Sequence, residues 1–153
     1  MLGADHPDTG NSYNKIVEVH DSKGDYDKAL STHQTALGIR VRVLRVDHPN
    51  TASSYNDVGD VYEIKGDYNK ALSQYQKCLD IHLKVLGADH PDTASSYNDF
   101  GDLYDNKGDY EKALSQYQKA LDIQLKVLGV DHLDTLEMKK NIEDKMFQLQ
   151  GYR

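Results

Sequence analysis

Apolar residues in the middle of the chain recur at spacings of three and four residues. Tyr55, Val58, Gly59 and Tyr62 follow the i, i+3, i+4, i+7 pattern of a single helix face. The next segment has a wider apolar side, made of Ala71, Leu72, Tyr75, Cys78, Leu79, Leu83 and Leu86. Polar residues fill the positions between, so both segments are predicted to be amphipathic helices with one buried side.

This two-helix pattern returns every 42 residues. Asp-His-Pro begins at positions 5, 47 and 89, and a variant with leucine begins at position 131. The segments 47–88 and 89–130 differ at only nine positions. A period shared by turn residues and apolar positions indicates a solenoid. The predicted fold class is all-α, an α-solenoid of antiparallel helix pairs with about seven helices.

Turn residues set the predicted helix ends. Pro49 is placed just inside a helix start, where its missing N–H costs nothing. Gly66 ends that helix because glycine takes the left-handed conformation without penalty, and Asp67 can cap the next helix. The helices are predicted at residues 8–22, 26–45, 50–65, 68–86, 92–107, 110–128 and 134–149.

The predicted helices form a single array along residues 1–153. It consists of repeat 1 (5–46), repeat 2 (47–88), repeat 3 (89–130) and a capping helix (131–150). Repeat 1 is degenerate, because Val17 replaces the glycine and His20 and His33 replace two aromatic residues. The last segment is interpreted as a cap, since Lys139 and Glu143 place polar groups where a further helix would dock.

Repeats 2 and 3 share a set of aromatic and small residues at fixed positions. The set consists of Tyr55, Val58, Gly59, Tyr62, Ala71, Tyr75 and Cys78 in repeat 2, and of Tyr97, Phe100, Gly101, Tyr104, Ala113, Tyr117 and Ala120 in repeat 3. This set resembles the tetratricopeptide repeat family. The 42-residue period, the His-Pro-Asp-Thr-Ala start and the Leu-Gly end look like its kinesin-light-chain and nephrocystin-like subgroup. The resemblance implies a right-handed superhelix, in which the first helix of each repeat (the A helix) lines a concave groove that binds peptides.

Residues opposite the core stripe of each A helix should face that groove. At 100° per residue, Ser53, Asp57 and Asp60 lie opposite Tyr55 and Tyr62. The predicted peptide-binding residues are Asn14, Glu18, Asn56, Asp57, Asp60, Glu63, Asn98, Asp99, Asp102 and Asp105. Acidic side chains dominate this set.

Two interpretations of the acidic stripe stay open. These residues can be ordinary solvated positions on helix exteriors. Alternatively, they form an acidic groove for an extended basic peptide, with Asn14, Asn56 and Asn98 pairing with its backbone. An asparagine side chain both donates and accepts hydrogen bonds, so it can pair with a peptide group of any sequence.

Composition narrows the class of protein. The net charge of −7 argues against nucleic acid as a partner, because an acidic protein repels phosphate. The sequence has no apolar run of about 18 residues and no basic, apolar leader, so neither a membrane partner nor a signal peptide is predicted. The expected location is cytoplasmic. The lone cysteine, Cys78, is predicted to be a packed core residue.

Repeated polar residues are interpreted as structural. His48, His90 and His132 recur with the period, but neighbouring helices about 8–10 Å apart cannot bring equivalent loops to one metal ion. They are expected at helix starts, and no metal site, cofactor or catalytic residue is predicted. Arg40 and Arg42, with Arg45, are expected on a solvated convex surface, with a small second contact site as the alternative.

The predicted function is that of a non-catalytic protein–protein interaction scaffold, not an enzyme. It would bind an extended, basic peptide in an acidic concave groove. The alternative is a structural module that forms homo-oligomers by stacking through its uncapped N-terminal repeat. The start of the chain at a repeat boundary is also compatible with a piece of a longer protein.

Overall fold

The computed structural model describes residues 25–151, and this part of the chain contains only α-helices and turns. The helices are α1 (Tyr26–Leu44), α2 (Pro49–Ile64), α3 (Tyr68–Val85), α4 (Pro91–Asn106), α5 (Tyr110–Val127) and α6 (Leu133–Gly151). The all-α prediction is confirmed, and the predicted bounds of these six helices agree to within two residues. The first predicted helix, with Asn14, Val17, Glu18 and His20, lies outside the described residues.

The described chain divides into two compact units, residues 25–85 with α1 to α3 and residues 86–151 with α4 to α6. Within each unit, consecutive helices pack against each other. In the second unit, Tyr117, Leu121 and Ile123 of α5 form one core with Met138 and Ile142 of α6.

Cross-helix contacts show that α2 and α3 are antiparallel. The Lys70 ammonium lies 5.5 Å from the ring centre of Tyr62, near the turn between the helices. The Lys77 ammonium lies 5.3 Å from the ring centre of Tyr55, at the far end. Residue numbers therefore rise along one helix while they fall along the other. The predicted helix pairing is confirmed, and the lysine stems cover the half-buried tyrosine faces.

Small residues allow α2 and α3 to approach closely, as predicted. Gly59, Ala71 and Cys78 are all buried, and the ring of Tyr75 packs directly on Gly59. The prediction that Leu83 is buried is wrong, because this residue lies at the edge of the apolar face and is 37% exposed.

Histidine side chains cap the A helices. The Nδ1 atom of His48 accepts a hydrogen bond from the backbone N–H of Asn50 at 3.1 Å. His90 caps α4 through the N–H of Asp92 at 3.1 Å. His132 accepts from the N–H of Asp134 at 3.2 Å in the same way. The helix-start prediction is confirmed, with the histidine itself supplying the acceptor that the first turn needs.

One turn departs from the pattern of the others. Gly87 and Gly129 follow α3 and α5 with φ values of 95° and 90°. Arg45 stands at the same position after α1 and has a φ of 80°. This left-handed conformation is unfavourable for a residue with a Cβ atom. Arg45 therefore marks a strained turn.

Candidate functional site

The predicted binding residues of α2 and α4 lie on partly exposed helix sides. Asp60 and Asp102 are exposed, and the half-buried members are Asn56, Asp57, Glu63, Asn98, Asp99 and Asp105. Their role in peptide binding stays a prediction.

Two carboxylates in the first unit share one tyrosine hydroxyl. The hydroxyl of Tyr75 lies 2.7 Å from Oδ1 of Asp60 and 2.6 Å from Oε2 of Glu63. Burial, with the negative charges of both carboxylates, raises the pKa of Tyr75 far above its ordinary value. The tyrosine is thus a neutral hydrogen-bond donor to these carboxylates. Two carboxylates held this close favour a nearby cation.

The second unit uses the corresponding residues differently. The Tyr117 hydroxyl donates to Oδ1 of Asp102 at 2.6 Å. Asp105, which has one methylene fewer than Glu63, instead accepts from the Lys145 ammonium at 2.6 Å. This ion pair is about three-quarters buried on both sides. Asp105 therefore adds little net charge to the face on which the sequence analysis placed it.

The two asparagines are already joined to neighbouring carboxylates. The Asn98 amide donates to Oδ2 of Asp102 at 3.1 Å, and the Asn56 amide makes a longer contact of 3.5 Å with Asp60. The Asn56 carbonyl oxygen is buried without a hydrogen-bond partner. Because this oxygen is buried, an incoming peptide could reach only the amide nitrogen of Asn56.

A polar cavity of about 370 Å³ opens in the second unit between α4, α5 and α6. Its lining consists of Ala94, Ser95, Asn98, Asp99, Gln124, Asp134, Glu137, Met138 and Asn141. Three of these residues are acidic, and none is a lysine or an arginine. The Gln124 side-chain oxygen is buried here without a hydrogen-bond partner. The volume lies in the range of small ligand sites, and the lining suits a cation or a hydrogen-bond donor.

Gln124, which lines this cavity, corresponds to an arginine in the first unit. Arg40 of α1 stands two periods before Gln124 and is only 4% exposed. Its Nη1 atom donates to Oγ of Ser54 at 2.6 Å and to the backbone oxygen of Asn50 at 3.3 Å. The prediction that Arg40 is solvated is wrong, because these two α2 groups hold the guanidinium inside, where burial lowers its pKa. Arg42 and Arg45 are exposed, as predicted.

The sequence analysis missed four polar residues of the cavity: Gln124, Asp134, Glu137 and Asn141. Two of them could have been found, because Ser53 and Asp57 shifted by two periods become Glu137 and Asn141. The polar residues of α6 fit a capping helix as well as a cavity wall, so the sequence alone does not assign them to a site.

Other site classes find no support in the described residues. No group of three or more histidine, cysteine, aspartate or glutamate side chains in residues 25–151 could hold a metal ion. No described helix is long and apolar enough to cross a bilayer. Cys78 is 2% exposed, with its sulfur 3.9 Å from Nδ1 of His82, so its predicted place in the core is confirmed.

The sequence that forms these helix pairs matches a known repeat family. The family model described as tetratricopeptide repeat matches residues 8–84 and 50–126, which together cover most of the chain. The chain belongs to the tetratricopeptide repeat (TPR) family. TPR repeats are generally protein-interaction modules and typically not catalytic. No curated protein matches this TPR chain.

Solved structures share the TPR fold at low sequence identity. BtubC (BKLC) from P. vanneervenii is 22% identical with a TM-score of 0.79, over 92% of this chain and 56% of that protein. A kinesin-light-chain-like protein from Podosopora anserina with nearly identical TPR-like repeats is 22% identical with a TM-score of 0.80. The match covers 100% of this chain and 72% of that protein. The N-terminal domain of stress-induced protein-1 from C. elegans is 13% identical with a TM-score of 0.66. The match covers 92% of this chain and 96% of that domain. These likenesses support the α-solenoid fold class. The chain spans little more than half the length of BtubC.

Proposed function

We propose that this TPR chain is a non-catalytic scaffold that binds an extended, basic peptide on the acidic faces of its A helices. The observation that carries the proposal is the cavity between α4, α5 and α6. Asp99, Asp134 and Glu137 line it, and no basic residue does. A lysine or arginine side chain of the peptide is the occupant that complements this charge.

The first unit has an acidic cluster of its own. Asp60 and Glu63 converge there on the hydroxyl of Tyr75. Each partly exposed carboxylate contributes about 0.2–1 kcal/mol to binding a basic residue. Affinity for a basic peptide would therefore come from several weak contacts and would fall as salt increases.

Asparagine side chains supply the part of the proposed contact that does not depend on peptide sequence. The amide groups of Asn98 and Asn56 lie beside Asp102 and Asp60, at 3.1 Å and 3.5 Å. We propose that these side chains pair with the peptide backbone, as would Asn14. Glu18 is proposed to extend the acidic face, and both residues lie outside the described part of the chain.

The same proposal covers the chain's subgroup and location. The 42-residue period and the fold shared with kinesin-light-chain-like repeats support membership of the kinesin-light-chain and nephrocystin-like subgroup. We propose a cytoplasmic location and a protein or peptide partner, with no cofactor and no nucleic acid or membrane as ligand.

The test uses the difference between the two units. Gln124→Arg gives α5 the residue that α1 has at the same repeat position, Arg40. The new arginine side chain would fill the cavity and offset the negative charge of its lining. We expect a fluorescent peptide with arginine at alternate positions to bind at least about tenfold more weakly, a loss of about 1.4 kcal/mol. Fluorescence anisotropy measures the affinity, and circular dichroism confirms that the variant is folded.

Asp122→Asn is the matched control. It changes the net charge by the same amount, two residues away on the exposed side of α5. It should change the affinity by less than about twofold, because the charge is solvated. Equal binding by wild type and Gln124→Arg would refute the cavity as the site. Tighter binding of a peptide with glutamate in place of arginine would refute the acidic groove altogether.

A further inference from the structure

The outer face of α6 has the form of a docking surface for another helix. On α2, the positions that meet α3 include Ala52, Tyr55, Gly59 and Tyr62. Two periods later, the same positions on α6 are Leu136, Lys139, Glu143 and Met146. We call these four residues, with the adjacent Phe147, the outer face of α6. No helix among residues 25–151 covers it.

Apolar exposure on this face is large. Leu136 and Met146 are each 48% exposed, and Phe147 is 77% exposed. The predicted polar cap is present only in the middle of the face, at Lys139 and Glu143. Large apolar groups therefore flank a charged centre.

The order of residues makes the outer face complementary to itself. If two α6 helices lie antiparallel about a two-fold axis level with Asn141, Leu136 of one copy faces Met146 of the other. The same axis sets Lys139 opposite Glu143, because both pairs of positions are symmetric about residue 141. A parallel pair would instead place each charge opposite its own copy, and like charges in this position are unfavourable.

We propose that the outer face of α6 binds the outer face of α6 in a second copy of this chain, as an antiparallel two-fold helix pair. Such an interface is isologous and closes at a dimer. Two flanking apolar contacts and two Lys139–Glu143 pairs hold it together. Phe147 extends the apolar contact toward Leu136 of the partner copy.

The proposed dimer is weak. A single helix pair buries less than the roughly 1,200–2,000 Å² of stable complexes. Each chain also carries a net charge of −7, so two copies repel at long range. The α6 helix itself has four acidic and three basic residues, so the repulsion at the contact is small. We expect a dissociation constant of about 10 µM to 1 mM, with tighter association as salt screens the net charge.

The dimer surface and the proposed peptide site lie on different sides of α6. Glu137 and Asn141 line the cavity, while Lys139 and Glu143 lie on the outer face, about 160° away at 100° per residue. Dimerisation does not depend on the proposed peptide function, and each can fail without the other.

Charge reversal tests the pairing. Lys139→Glu alone places glutamate opposite glutamate twice across the axis, and Glu143→Lys alone places lysine opposite lysine twice. Each single variant should dimerise at least about tenfold more weakly than wild type in sedimentation equilibrium at millimolar concentration. The double variant Lys139→Glu/Glu143→Lys restores both pairs and should recover most of the wild-type affinity.

Two further variants complete the test. Met146→Glu should abolish the dimer, because it places a charge in the apolar contact. Lys107→Glu makes the same charge change as Lys139→Glu on an exposed residue outside α6 and should leave the dimer intact. A wild-type chain that stays monomeric at millimolar concentration would overturn the proposal. So would a dimer that the double variant fails to restore, since its contact would then lie elsewhere on the copy.

Discussion

Gly59 is the residue at which the packing of α2 on α3 can be tested most directly. A Cβ atom added there would lie 2.5 Å from Cε1 and 2.6 Å from Cδ1 of Tyr75. The ring has little freedom to move, because Tyr75 is 2% exposed and its hydroxyl is held by Asp60 and Glu63. Gly59→Ala must therefore shift either a buried ring or a helix backbone.

The expected cost follows from three contributions. Overpacking a filled interior costs about 1–3 kcal/mol. Displacing the Tyr75 hydroxyl from its carboxylates costs about 1 kcal/mol more. Alanine returns about 0.8–1 kcal/mol, because it has the higher helix propensity. We expect Gly59→Ala to lower the free energy of unfolding by about 1–3 kcal/mol.

Gly38 provides the matched control. It lies within α1, and a Cβ atom there would meet nothing within 4 Å. Gly38→Ala gains helix propensity without a clash, so it should raise the free energy of unfolding by about 0.5–1 kcal/mol. Urea unfolding followed by circular dichroism measures both changes. If Gly59→Ala were as stable as wild type, or if both alanines had the same effect, the contact between Gly59 and Tyr75 would not limit the helix approach.

Three further predictions concern turns, caps and ionisation. Arg45→Gly should stabilise the chain by about 1 kcal/mol in the same urea assay, because it relieves the left-handed turn, whereas Gly129→Arg should destabilise it by a similar amount. His90→Ala should cost about 0.5–2 kcal/mol through the lost cap of α4, and His90→Asn should keep most of that stability; equal losses in thermal melts would contradict the capping role. Tyr75→Phe should cost about 1 kcal/mol at neutral pH. The folded pKa of Tyr75 is raised above the ordinary 10.0, so its contribution to stability is present below pH 10 and is lost as the pH rises above that value. The difference in the free energy of unfolding between wild type and Tyr75→Phe should therefore shrink in alkaline urea titrations.

The sequence was sufficient to predict features that depend on local chemistry. Pro49 and Gly66 mark helix ends through their own backbone preferences, and they act within a few residues along the chain. The stripe of Tyr55, Val58 and Tyr62 specifies which side of α2 packs inward, because the helix period fixes the direction of each side chain. Helix bounds and faces were therefore predictable.

Features that depend on distant partners were not predictable in the same way. Arg40 is charged and was assigned to solvent, but Ser54 and the backbone of Asn50 provide its hydrogen bonds inside the unit. Asp105 was assigned to the acidic groove, but Lys145, forty residues later, pairs with it. Neither partner can be identified from periodicity, since each contact requires the packed helices to be in place first.

The contrast between Arg40 and Gln124 has a consequence for how such repeats acquire different specificities. Both residues stand at one position of the repeat, on the second helix of the pair. A change there alters the depth and charge of the adjoining site and leaves the A-helix surface as it was. Duplicated repeats could thus acquire different ligand preferences by substitution at this single position.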